Sequence, residues 1–176
     1  MPTLHPYPSY RNLRRLPWLG QIPAHWEVKR LKHCVSEFYP GGTPESGNQD
    51  YWSLDDEGIS WVAIGDMTRA EIVQSTEKKL TKEGLKSKNL RVLPSGTLLY
   101  SMYASLGKVA ILGIPAATNQ AILSLLPKST LDKFFLKYWL QRIEADIFQI
   151  SSSNTQDNLN ANKVKNIPIF LPPFAE

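Results

Sequence analysis

Apolar and polar positions alternate in several short stretches of the chain, and only one stretch repeats at helical spacing. Trp26, Val28 and, less cleanly, Arg30 alternate with Glu27 and Lys29 ahead of Leu31, which predicts a first strand. Ile59, Trp61, Ala63 and Gly65 alternate across Gly58–Asp66 and predict a half-buried strand. Thr97–Tyr103 and Lys108–Leu112 read as two strands joined by the tight loop Ala104-Ser105-Leu106-Gly107, and Ala121–Leu126 as another short strand. Thr81–Lys86 predicts a short helical turn capped by Thr81, with Gly84 weakening its interior. The clearest helix covers Leu131–Phe148. Leu131, Phe134, Phe135, Tyr138, Trp139, Ile143 and Ile147 keep helical spacing, Ser129 or Thr130 can cap it, and its aromatic stripe is expected to pack on a sheet. Ile167–Leu171 closes the pattern as an edge-like strand, since Pro168 has no N–H for a ladder. The expected fold is α+β: an irregular, twisted, mainly antiparallel β body with a long amphipathic helix at about 131–148 and short helices. Ahead of it, Pro2, Pro6, Pro8, Pro17 and Pro23 predict an extended arm over residues 1–24, leaving residues 25–176 as a single domain.

Composition narrows the class. With 176 residues, 42% of them hydrophobic, the chain suits one domain with its own core. No apolar run approaches the roughly 18–20 residues that cross a bilayer, so no membrane partner is expected. The first ten residues lack a signal-peptide core. A single cysteine, Cys34, cannot pair within the chain, and a reducing cytoplasm is the expected compartment.

Charge is patterned by segment. Residues 1–32 carry six basic groups against Glu27; residues 33–73 carry eight acidic groups against Arg69; residues 74–108 carry seven basic groups against Glu77 and Glu83. The total of +4 therefore hides a surface that a polyanion can meet in part, and the basic 74–108 stretch is expected to face it, with the acidic 33–73 stretch turned away.

Catalytic chemistry is missing from the pattern. One cysteine and three histidines (His5, His25, His33) do not make a metal site, and adjacent His33-Cys34 point apart. No phosphate-binding loop or dinucleotide fingerprint follows a strand. Asp55-Asp56-Glu57 reads as a solvated loop. Leu171-Pro172-Pro173-Phe174 is similar to the Pro-Pro-aromatic element of amino-methyltransferases, but Leu171 stands where those enzymes need a polar residue to hold the amino group. No catalytic residue, no metal and no cofactor bound by this chain is expected.

What the sequence does offer is small polar and amide side chains beside glycines: Gly41-Gly42-Thr43, Ser101 with Ser105-Leu106-Gly107-Lys108, Thr118-Asn119-Gln120, and Asn154 to Asn160. Asn and Gln can pair with adenine edges, while Ser, Thr and Lys reach bases or phosphates. The same residues also cap turns and tie loops to sheets, the role favoured for Asn119-Gln120. Lys78, Lys79, Lys82, Lys86 and Lys88 suit phosphate contacts or a solvated face.

These fragments, taken in order, resemble a target recognition domain of the specificity subunit of type I restriction–modification systems. The resemblance starts at Tyr7 and includes Trp18-Leu19-Gly20-Gln21-Ile22-Pro23, Gly41-Gly42-Thr43-Pro44, Tyr51-Trp52, Gly58-Ile59-Ser60-Trp61, Pro94-Ser95-Gly96-Thr97-Leu98-Leu99, Gly107-Lys108-Val109-Ala110-Ile111, Asn119-Gln120-Ala121, Gln156-Asp157-Asn158-Leu159-Asn160 and Leu171-Pro172-Pro173. It implies a domain without chemistry of its own that reads one half of a two-part double-stranded DNA target. It also implies docking to a methyltransferase subunit that carries S-adenosylmethionine, a restriction subunit acting indirectly, and a second copy or second half-subunit to complete the target. Family subunits hold two such domains, each followed by a long spacer helix, so one recognition domain without its spacer is expected here. On this resemblance the expected DNA contacts are Thr43, Lys78, Lys79, Lys82, Ser101, Ser105, Lys108, Gln156 and Asn158.

Overall fold

Turn residues interrupt the apolar runs every few positions, so the chain forms many short strands and few helices. The structure, a computed structural model, describes residues 7–12, 20–103, 105–146 and 159–173. β1 (Tyr10–Asn12) and β2 (Gln21–Pro23) pair antiparallel within the proline-rich arm. β3 (Glu27–Arg30) gives way at once to a helical turn, α1 (Leu31–Cys34), and then to β4 (Val35–Pro40). Next come β5 (Trp52–Ser53), β6 (Ile59–Val62), α2 (Ile64–Arg69), β7 (Ile72–Val73), β8 (Lys78–Leu80) and α3 (Lys82–Ser87). The second half holds β9 (Leu98–Ser101), β10 (Val109–Leu112), β11 (Ala117–Thr118), β12 (Ile122–Pro127), α4 (Lys133–Arg142), α5 (Ala161–Lys165) and β13 (Pro168–Leu171).

Two sheets form the body. The larger has the order β4-β12-β9-β10-β7 and the smaller β11-β6-β8-β5, while β13 pairs with β3. All described pairings are antiparallel except β10 with β7 and β11 with β6, in keeping with the expected mainly antiparallel α+β fold. β9 and β10 are buried at every position because both faces of the larger sheet are covered. One face, with Leu98, Tyr100, Val109, Ile111, Leu123 and Leu125, packs on Leu136 and Leu140 of α4 and on Ile143 just after it. The other, with Leu99, Ala110, Leu112 and Ile122, packs on Met67 of α2 and Val62 of the smaller sheet.

The two sheets join at Gly41-Gly42. The Gly41 N–H donates to the Ile122 carbonyl at 3.1 Å, and the Gly42 N–H to that of Thr118 at 2.9 Å. A Cβ at Gly41 would overlap the backbone oxygens of Asn119 and Thr118, so glycine is required by close approach of two backbones. The Trp61 indole N–H then donates to the Gly42 carbonyl at 3.0 Å, fixing the loop onto the small core of Trp61, Leu80 and Ala117.

The helix expected over 131–148 is shorter in its described part. Asp132, rather than Ser129 or Thr130, caps α4 by accepting from the Phe134 and Phe135 N–H groups, and a 3-10 turn, Glu144–Asp146, follows Arg142. Residues 147 and 148 lie outside the described residues. The aromatic stripe also divides: Trp139 and Phe135 pack against the core, whereas Phe134 and Tyr138 are 45% and 61% exposed. Residues 134 and 138 lie on the face of α4 opposite Leu136 and Leu140, so the sheet never reaches them.

Candidate nucleic-acid interface

The register of the larger sheet gathers the small polar clusters. Pro40 pairs with Leu123, Leu123 with Tyr100, and Tyr100 with Val109. The Gly41–Thr43 loop, Thr118–Gln120 and the turn at residues 105–108 therefore all emerge at one end of that sheet. Thr43 donates its hydroxyl hydrogen to the Gln120 amide oxygen across this end. Asn119 instead accepts from the Ala121 N–H at 3.1 Å, the turn-forming role expected of it.

Ser101 is fully buried, and its hydroxyl donates to the Ser105 carbonyl and accepts from the Lys108 N–H. Its place is inside the turn, which Gly107 allows by taking φ +82. Ser105 is half-buried beside it. Lys108 is about half exposed and pairs with Glu144 at 2.8 Å. Gln156 and Asn158 lie outside the described residues.

The basic stretch occupies the smaller sheet and its flank. Lys79 on β8 pairs with Asp56 at 2.9 Å, and its partner's carboxyl is held below the usual range by that hydrogen bond and charge. Lys78 lies 5.2 Å from the centre of the Trp52 ring. Arg91 pairs with Glu37 at 3.3 Å. Two acidic residues of the 33–73 stretch, Glu37 and Asp56, fold directly onto the basic one.

Lys82, Lys86 and Lys88 are exposed and belong to no ion pair among the described residues. α3 holds them out because Thr81 accepts from the Gly84 N–H at 3.0 Å and because Gly84 sits against the Tyr51 carbonyl, where a Cβ would not fit. The helix ends on Asn89 at φ +49, with the Leu90 N–H donating to the Leu85 carbonyl at 2.9 Å and the Asn89 N–H to that of Lys86 at 3.0 Å, a Schellman cap. That cap swings Lys88 and Leu90 against Gly42 and opens a cleft of about 300 Å³ between β4 and residues 88–93. The end of the larger sheet and the lysine flank are therefore contiguous, through Gly42 and Lys88.

Among the described residues no group of His, Cys, Asp and Glu could hold a metal ion, and no helix is long and apolar enough to cross a membrane. The family profile of the type I restriction modification DNA specificity domain matches residues 23–176. The chain belongs to that family.

Relatives agree with this membership. The chain is similar to the type I restriction enzyme MjaIX specificity subunit of Methanocaldococcus jannaschii, 30% identical over 158 residues, which is 88% of this chain and 36% of that protein. It is similar to the HindI specificity subunit of Haemophilus influenzae at 25% identity, over 86% of this chain and 33% of that protein. In fold it matches the crystal structure of the HsdS subunit from Thermoanaerobacter tengcongensis with a TM-score of 0.68 at 18% identity, covering 88% of this chain and 35% of that one. It likewise matches the S subunit from M. genitalium with a TM-score of 0.61 at 13% identity, covering 86% of this chain and 36% of that one. This specificity domain thus spans about a third of the length of each relative it matches.

Proposed function

We propose that this specificity domain reads one half of a bipartite double-stranded DNA target and performs no chemistry itself. It would dock a methyltransferase subunit carrying S-adenosylmethionine, with a restriction subunit acting indirectly and a second copy or second half-subunit completing the target. The observation that carries the reading is the lysine flank, Lys82, Lys86 and Lys88, set beside the polar end of the larger sheet. Three exposed cations outside every ion pair among the described residues are what phosphate contacts need. Thr43 and Gln120 beside them supply the donor and acceptor pattern that base edges need.

The test is binding of the 176-residue chain to duplex DNA across a salt series. Phosphate contacts predict an affinity that falls steeply with salt. Neutralising Lys82, Lys86 and Lys88 to Gln flattens the log–log slope by roughly 0.9 for each phosphate that then keeps its counterion. Neutralising Lys79 and Lys108, already paired with Asp56 and Glu144, changes it less. Binding indifferent to salt, or a slope untouched by the triple change, would refute the proposal.

A second reading treats the chain as a protein-interaction module, acting through dimerisation or docking to the methyltransferase subunit. The exposed Phe134 and Tyr138 on α4 favour it. It predicts capture of the methyltransferase subunit that survives the lysine changes and is lost in a Phe134→Ser, Tyr138→Ser variant, with no DNA shift in either.

A further inference from the structure

Arg91 differs from the lysines around it in being held. Its Nη1 donates to the Tyr39 hydroxyl and to Glu37 Oε2, and its guanidinium carbon lies 4.4 Å from the centre of the Tyr39 ring. Tyr39 and Glu37 both belong to β4, whose ladder to β12 is five residue pairs long, so the backbone that carries both holders is fixed. Nε and Nη2 have no partner among the described residues, and the side chain is 61% exposed at the lip of the cleft it shares with Gly41, Lys88, Asn89 and Thr118.

A guanidinium pinned through one amino group presents its remaining Nε–Nη2 edge as a fixed two-donor fork. That edge matches two acceptors in a plane, and in the major groove the matching pair is O6 and N7 of guanine. A flexible lysine serves a phosphate as a point charge and needs no such orientation. We infer that Arg91 is a specificity-determining residue that reads a guanine, while Lys82, Lys86 and Lys88 set the register on the backbone. This rests on the DNA-reading proposal and goes beyond it by naming the reader and the base.

The test is selection from a randomised duplex library by the whole 176-residue chain, with Arg91→Lys and Tyr39→Phe beside the wild type. The wild type selects a site with a fixed guanine. Arg91→Lys keeps the charge and loses the fork, so the preference for guanine at that one position falls about tenfold to a hundredfold while the other positions keep theirs. Tyr39→Phe keeps the ring, leaves Nη1 with Glu37 alone and weakens the same preference to a smaller degree. If Arg91→Lys leaves every base preference intact and only lowers affinity evenly, or if it lowers melting temperature alone, Arg91 is a phosphate contact or a structural residue and the inference fails. If the wild-type chain retains no DNA even at low salt, the DNA-reading proposal fails with it.

Discussion

At the scale of single residues, the positions that matter most are those where two backbones or a buried polar atom leave no slack. Gly41→Ala should cost roughly 3 kcal/mol, because the added methyl meets fixed carbonyl oxygens instead of a side chain that can turn away. Gly47→Ala, with nothing within 4 Å, should leave the chemical-denaturation midpoint unchanged or slightly raised. Equal midpoints for the two variants would refute the latch at Gly41. Tyr100 makes the opposite case. Its hydroxyl is buried without a hydrogen-bond partner among the described residues, and burial pushes its phenol well above the ordinary value of 10.0. The native state keeps the proton while the unfolded chain releases it. Stability tied to Tyr100 is therefore intact below about pH 10 and falls as pH rises beyond it. Tyr100→Phe should raise stability at pH 7 by about 1 kcal/mol and flatten the alkaline decline, read from denaturation midpoints across pH. A loss at pH 7 would mean that the hydroxyl has a partner.

Secondary-structure elements show what periodicity can and cannot carry. Thr81 announces α3 correctly because a cap followed by helix formers is a local signal, and β9, β10 and β12 are visible as apolar runs of strand length. β4 is not, because Val35, Phe38 and Tyr39 break the alternation; that strand exists because β12 and the glycine latch hold it. α2 and α5, of six and five residues, are too short for helical spacing to repeat. Their signals are caps: Asp66 accepts from the Ala63 N–H and Asn160 from the Lys163 N–H. The candidate site follows the same division. Its clusters can be read, but Ser101 turning inward and Glu37 meeting Arg91 across 54 residues depend on tertiary pairing that no local pattern encodes. For α4 the sequence suggests a cap two or three residues too early. Asp132→Ala should cost about 1 kcal/mol, since two N–H groups lose their acceptor, whereas Thr130→Ala should be nearly neutral. Denaturation midpoints of the two variants check this, and a larger effect at Thr130 would move the cap.

On the DNA-reading proposal, the whole molecule has to reconcile a modest charge with selective binding. Lys79, Arg91 and Lys108 are neutralised in ion pairs, while Lys82, Lys86 and Lys88 beside the cleft belong to none among the described residues and stay open to a polyanion. A single recognition module buries only roughly 600–1,000 Å² on DNA, and each wrong base pair costs about 1–3 kcal/mol. A short site read at that level recurs too often to be selected by one module. Relatives about three times as long have room for a second reader, and tethering turns the second contact into an intramolecular one. Two copies of this chain joined by a flexible linker should therefore bind a duplex carrying two selected sites about 100-fold or more tighter than one copy does. The gain should appear only at spacings the linker can span and disappear when either site is scrambled. It should also steepen the salt slope, since two lysine flanks then release counterions together. Titration of single and tandem proteins on a spacing series decides the matter. A tandem protein that gains nothing at any spacing would show that one module already holds all the binding energy its target offers.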